Sequence, residues 1–317
     1  MLTGIAQSIY GAYLAELRKG DAAARGRKKM LRRARRLLLK FADPDVIASV
    51  DGFAFQTPFS SSILLTHYEI PFYDSVLPRL ARAVHAARGN LVMIDVGANV
   101  GAVTRLVSRE TEGRFLCIEA NPRFKASLNH NLAQIPHSRA RFVALTDEAR
   151  SLNVRHNYAE GNSCIEPAAG GELLEFITLD EALAAEPDYR APNLVKIDTE
   201  GFELKILRGA TRMLTELRPP LFFEFFPEFI RREGGEPDGL FELLARHGYD
   251  FFLFYDGAGN LLTPVDGSRT EQLLALRRYC ELRRSFFDVA AFHSADAALS
   301  REFFAAEVAF FDRSLKH

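Results

Sequence analysis

Three cysteines in 317 residues leave no basis for a disulfide framework. Cys117, Cys164 and Cys280 are far apart, odd in number and without metal-ligand spacing, so they read as reduced thiols, with Cys117 inside an apolar strand. Long apolar runs are missing too. None approaches the ~20 residues that a membrane-spanning helix requires. The first 17 residues lack a charged leading region and a small-residue cleavage site, which argues against a secretory signal and for a cytoplasmic protein, soluble or peripheral at the membrane. Internal repeats and low-complexity segments are absent. What remains is an ordinary globular composition, 48% hydrophobic, with a length that suits one large domain or a domain with an appendage.

The net charge of −1 hides an asymmetry. Residues 1–41 carry eleven Lys or Arg against Glu16 and Asp21, a balance of +9, so the remaining residues carry −10. The positive charge lies between Arg18 and Lys40. Within it Met30, Ala34, Leu37, Leu38 and Phe41 recur at helical spacing, which gives an amphipathic helix with a basic face. Two readings of residues 18–40 stand side by side. The helix packs on the domain with its charges solvated, or it presents a surface to an anionic membrane or a phosphate-bearing partner. Nucleic acid is disfavoured, because the rest of the chain is acidic.

Organisation changes near residue 91. Before it come two helices, a strand-like stretch with a tight turn at Asp51-Gly52, and a helix closed by Gly89-Asn90. Residues 1–90 therefore read as an appended basic helical cap, a candidate substrate region. From Leu91 strands and helices alternate, the pattern of a parallel sheet with crossover helices. Strands are expected at Leu91–Asp95, Arg114–Glu119, Arg141–Leu145, Leu194–Asp198, Leu221–Phe225, Phe251–Tyr255 and Phe286–Phe292, the last antiparallel. Ser151–Phe176 reads as a hairpin excursion. The division is thus 1–90, 91–295 for the alternating strand–helix domain, and 296–317 for a C-terminal helix. The fold class is α/β, a mostly parallel seven-stranded sheet with helices on both faces.

The stretch Met93-Ile-Asp-Val-Gly-Ala-Asn-Val-Gly101 reads as strand, glycine turn and helix start. Such a turn lets a nucleotide-like ligand approach backbone N–H groups. A dinucleotide fingerprint would need glycine at Asn99 and Ala102, so a NAD fold fits poorly. An acid two residues before Gly-x-x-x-Gly is instead similar to the first motif of S-adenosylmethionine (SAM) methyltransferases. On that reading Gly97, Ala98, Asn99 and Gly101 form the turn around the cofactor's tail. Asp95 orders the loop or holds the ammonium. Glu119, ending the second strand in Glu119-Ala120-Asn121, suits the ribose hydroxyls. Asp147 is a candidate for the adenine amino group, or a plain turn acid.

A second stretch, Leu194-Val-Lys-Ile-Asp-Thr-Glu-Gly-Phe-Glu203, brings Asp198 and Glu200 to the carboxyl end of the fourth strand. They suit a general base or a hold on a substrate hydroxyl. A helix cap at Asp198 is the plainer alternative. His156, in the excursion, is a further candidate base. Glu224, inside an apolar strand, would be costly to bury alone, and either pairs with Lys196 or faces the crevice. No metal site is expected, and magnesium bridging Asp198 and Glu200 has no supporting cluster.

Together these motifs resemble the FkbM family of SAM-dependent methyltransferases. The resemblance rests on Ile94–Gly101, Glu119–Pro122, Thr178-Leu-Asp-Glu181, Val195–Glu203, Leu207-Arg-Gly-Ala210 and Phe223-Glu224, and covers about Leu91 to Phe226. It implies a class I methyltransferase fold, SAM as cofactor, and methylation of a hydroxyl on a sugar, glycan or other secondary metabolite. It also suggests a ligand-facing turn at Gly161-Asn162-Ser163. A non-catalytic binding protein of the same fold, docked through the basic helix, is the alternative; a NAD-dependent oxidoreductase ranks third. The identity of the acceptor and the oligomeric state are not written in these motifs.

Overall fold

The computed structural model describes residues 2–19, 25–159 and 162–315, and for 156–159 and 162–167 the backbone alone. The chain begins with two helices, α1 (Leu2–Arg18) and α2 (Arg25–Leu39). A hairpin follows, β1 (Asp45–Val50) and β2 (Phe53–Pro58), turned by Asp51 and Gly52, both at positive φ as a two-residue hairpin loop requires. Then come α3 (Ile63–Glu69) and α4 (Val76–Arg88), the latter closed by Gly89 in the left-handed conformation.

The alternating part runs β3 (Val92–Val96), α5 (Ala102–Glu110), β4 (Arg114–Glu119), α6 (Lys125–Leu132), β5 (Ser138–Phe142) and β6 (Ala144–Leu145). The excursion is β7 (Arg150–Ala159), β8 (Asn162–Pro167) and β9 (Glu172–Ile177), which with β6 make a separate four-stranded sheet. The remainder is α7 (Leu179–Ala184), β10 (Leu194–Ile197), α8 (Glu203–Arg208), β11 (Leu221–Phe225), α9 (Pro227–Arg232), α10 (Asp238–Arg246), β12 (Tyr249–Asp256), β13 (Leu261–Asp266), α11 (Thr270–Arg283), β14 (Phe287–His293) and α12 (Ala297–Ser314).

The main sheet has the order β13-β12-β14-β11-β10-β3-β4-β5. Its strands from β11 to β5 are parallel, while β12, β13 and β14 pair antiparallel. Expectation and structure agree on the fold class, with two differences. An eighth strand, β13, extends the antiparallel edge. The expected third strand divides: 138–142 stay in the main sheet, and Ala144–Leu145 leave it to pair with β9.

Strand periodicity sorts the core into two layers. Val92, Ile94 and Val96 face α7, α8 and α10, whereas Met93, Cys117, Leu194, Phe222 and Ala290 face the N-terminal helices, α5, α6 and α12. Tyr10, Tyr13, Phe55 and Phe59 are almost fully buried in that second layer. The described residues up to 88 thus lie against one face of the sheet. Their hairpin is tied down by polar contacts: Asn131 exchanges hydrogen bonds with the Gln56 backbone (2.8 Å each way), and Arg123 donates to Asp45 at 2.6 Å. No helix among the described residues is long and apolar enough to cross a membrane.

Candidate active site

β3 and β4 are adjacent parallel strands, so their carboxyl ends open side by side, where ligands bind in open α/β sheets. The turn after β3 bends back onto β4: Gly97 and Ala98 donate their N–H groups to the Ile118 carbonyl at 2.9 and 3.1 Å. Three residues of the turn have positive φ, Gly97 (74°), Asn99 (52°) and Gly101 (80°). Gly97 is also sterically fixed, since a Cβ there would lie 1.8 Å from the Asp198 carbonyl oxygen. Glu119 joins two loops. One carboxylate oxygen accepts from the Asn99 N–H and the other from the Asn121 N–H, both at 2.7 Å. Burial raises its pKa, against the pull of these N–H groups and of Lys196.

Behind the turn lies a buried ion network. Lys196 Nζ sits 3.1 Å from Asp95 Oδ1 and 3.4 Å from Asp198 Oδ2, and donates to the Gly97 carbonyl at 3.0 Å. Burial alone would depress Lys196; Asp95 and Asp198 outweigh it and hold the ammonium charged. The other oxygen of Asp95 accepts from Thr104 Oγ1 at 2.8 Å. Asp95 is thereby spent on anchoring β3 to α5 and β10.

The turn after β10 is wound tightly, with Glu200 at φ 56° and Gly201 at 106°. A Cβ on Gly201 would meet the Phe229 carbonyl oxygen at 2.4 Å. The acid that fastens this turn is Glu203, not Asp198: Glu203 Oε1 accepts from Thr199 N (2.7 Å), Thr199 Oγ1 (2.9 Å) and Gly201 N (3.3 Å). Asp198 and Glu200 are left facing a cleft. Across it stand Glu224, from β11, and Tyr73 and Asp74, from the segment between α3 and α4. Asp74 is held by His67, whose ring nitrogen lies 2.8 Å away.

The cleft has a volume of about 260 Å³ beneath an open mouth, at the lower end of small-molecule sites. Its acids are perturbed. Burial and Asp198 push Glu200 up to about 7. Burial raises Asp198, with Lys196 opposing and Asp74 adding, although its side chain is 48% open toward the cleft. Asp288, which is not among the lining residues, faces the lining Glu224 in register across β14 and β11, and burial followed by neighbouring acids pushes both well above the usual range. Such acids around one cleft are a common mark of a reaction site.

The sequence model of the methyltransferase FkbM domain matches residues 95–251, the stretch holding both turns. Residues 95–251 are an FkbM methyltransferase domain. Its cofactor is SAM. A hexuronic acid methyltransferase, AglP of Haloferax volcanii, is 28% identical over 134 residues, covering 39% of this chain and 51% of that protein. The chain therefore spans about half the length of the curated relative it matches. Among solved structures, the methyltransferase FkbM of Methylobacillus flagellatus is 18% identical, with 50% of this chain and 36% of that chain covered and a TM-score of 0.36. The N-methyltransferase NodS of Bradyrhizobium japonicum, solved with S-adenosylhomocysteine, is 12% identical, with 70% and 87% covered and a TM-score of 0.37.

Within the FkbM domain, Gly97, Ala98, Asn99, Glu119, Ala120, Asn121, Asp198 and Glu200 all line the one cleft. Asp95 and Gly101 lie behind it, and Asp147 is not among its walls. Asp147 accepts from Thr146 Oγ1 at 2.9 Å and sits 3.9 Å from Arg150. Glu224 does not pair with Lys196, whose partners are Asp95 and Asp198; it faces the crevice instead. The His156 side chain and the turn at Gly161-Asn162-Ser163 fall outside the described side chains. Among the described residues no group of three or more His, Cys, Asp or Glu has the geometry to hold a metal ion. The sequence reading missed Tyr73, Asp74, Asp288 and Arg232. Asp288 carried a signal, an acid in the otherwise apolar run Phe286–Phe292, whereas Tyr73 and Asp74 sit in a loop with no pattern to mark them.

Proposed function

We propose that the protein is a SAM-dependent O-methyltransferase whose acceptor is a hydroxyl of a sugar, glycan or related metabolite. The observation that carries this reading is the cleft itself, with a glycine turn and Glu119 on one wall and a cluster of acids on the other. SAM, when bound, supplies an electrophilic methyl group. The chain's residues fit it: the turn from Gly97 to Asn99 offers an open backbone for the amino-acid tail, Glu119 retains free lone pairs for ribose hydroxyls, and Ala120 and Asn121 border the adenosine. Tyr73, Asp74 and Phe286 narrow the other side, excluding water and orienting the acceptor.

A hydroxyl is a weak nucleophile until its proton is taken. Glu200 is suited to take it, because its pKa lies near neutral pH and its carboxylate has no hydrogen-bond partner among the described residues. Asp198, held by Lys196, is suited to accept a hydrogen bond from the acceptor and fix its direction. His156 stands as a further candidate base.

The acids also bear on which oxygen is methylated. The relative named for hexuronic acid supports a sugar acceptor. A carboxylate acceptor, however, would meet Asp74, Asp198, Glu200 and Glu224 in a confined cleft whose two lining cations are Arg232 and Lys196, the latter already engaged by Asp95 and Asp198. A hydroxyl meets no such repulsion. The test is product analysis with labelled SAM and a panel of neutral sugars and uronates. A methyl ether stable to mild base is expected; a base-labile methyl ester would refute the hydroxyl assignment. Glu200→Gln is expected to lower kcat about 100-fold or more with little change in S-adenosylhomocysteine affinity.

A further inference from the structure

The basic segment has an inward and an outward side. Inward, Leu31 and Leu38 are buried, Arg35 donates to the carbonyls of Phe59, Ser60 and Ser61, and Arg32 donates to Tyr13 and Glu69 at 3.0 Å each. These contacts fix the roll of α2. Outward, three large apolar side chains are left in solvent: Met30 (58% exposed), Leu37 (60%) and Phe41 (74%). Met30 and Leu37 lie above one another at a seven-residue interval, and Phe41 continues the stripe past the helix end. Arg33, Arg36 and Lys40 run alongside, and none has an ion-pair partner among the described residues.

We propose that this outward face of α2 docks on an anionic lipid bilayer, with Met30, Leu37 and Phe41 entering the interface and Arg33, Arg36 and Lys40 reaching lipid phosphates. Apolar residues beside cations on an exposed helix are what an interfacial helix needs. Charges alone would suit any polyanion; the exposed stripe favours a surface with an apolar interior. A recess of about 250 Å³ beside the face, lined by Arg35, Arg36 and Ser62 among others, gives room for a headgroup. The charge asymmetry orients the molecule, since the residues after 41 carry −10 and an anionic surface repels them. The bilayer would also lie near the reaction cleft. α3 contributes Leu65 and Glu69 to the recess and Ile63 to the cleft.

Sedimentation of the full chain with phosphatidylcholine vesicles, with and without phosphatidylglycerol, tests the proposal. Binding to the anionic vesicles alone is expected, weakening at least tenfold between low and physiological salt. Leu37→Ser with Phe41→Ser, which leaves the charge unchanged, should cut it a further tenfold or more, and Arg33→Glu with Arg36→Glu likewise. Circular dichroism and S-adenosylhomocysteine affinity of these variants should match the parent, because the substituted side chains face solvent. Absence of binding at low salt, or equal binding to neutral vesicles, would overturn the proposal. Binding unchanged by the apolar pair of substitutions would overturn it as well, leaving only nonspecific charge attraction.

Discussion

At the scale of single residues, the site depends on backbone that most side chains forbid. Gly97 combines positive φ with a Cβ position occupied by the Asp198 carbonyl, so even alanine cannot be accommodated without parting the two turns. Gly97→Ala is expected to cost about 2 kcal/mol or more in urea unfolding and to abolish S-adenosylhomocysteine binding. A variant with parental stability and affinity would show that the turns do not need this contact. Glu203 makes a pH-dependent contribution. Burial pushes it up to about 7 from an ordinary 4.5, so between those values the folded chain keeps a proton that the unfolded chain releases. Its effect is therefore to make stability fall as pH rises through that window, and Glu200 acts in the same sense. Glu203→Gln keeps a carbonyl oxygen for Thr199 and Gly201, and should flatten the decline in melting temperature between pH 4.5 and 7. An unchanged slope would place the titration elsewhere. None of this was visible in sequence at Asn99 or Glu200, where a non-glycine residue holds a left-handed conformation only because its neighbours enforce it.

At the scale of elements, legibility followed the physics of each segment. Strands β4 and β11 stand where the sequence placed them, because an apolar run bounded by charge or proline has one stable register in a buried parallel sheet. The tight turn at Asp51-Gly52 was equally plain, since its geometry is local. The division between β5 and β6 was not, because the chain changes sheets there and the pairing partner, β9, lies thirty residues on. Helices α9 and α11 and strand β13 escaped notice, being short or carrying no clear apolar stripe. The C-terminal helix illustrates a link that periodicity cannot show. α12 is clamped to α4 by a bidentate pair, Arg79 to Glu307 at 2.5 and 2.8 Å, with the Glu307 side chain 1% exposed and the guanidinium stacked 4.0 Å from Phe310. Removing one partner leaves a buried charge, so Glu307→Ala should destabilise by about 3–5 kcal/mol, while replacing both Arg79 and Glu307 by apolar residues should recover much of the loss. Additive losses in that cycle would mean that the two residues do not act as a pair.

At the scale of the whole molecule, one sheet does two jobs. Its far face, packed by α7, α8 and α10, is hydrophobic from β4 to β14 and turns polar only at the β5 edge, where Arg139 and Arg141 pair with Glu186. Its near face changes character along the strands: Met93, Leu194, Phe222 and Ala290 give way toward the strand ends at the site to Asp95, Lys196, Glu224 and Asp288. The N-terminal layer covers that face and supplies Tyr73 and Asp74 to the cleft. The glycine turn and both acids after β10 could be read from the sequence, but the wall from residues 63–74 could not, because it is brought in by tertiary packing alone. The central claim is that this cleft binds SAM through the turn after β3 and through Glu119. Calorimetric titration of the full chain with S-adenosylhomocysteine tests it most directly. One site of micromolar affinity is expected, weakened at least tenfold by Glu119→Ala with the fold intact, whereas no binding by the folded parent protein would contradict the account.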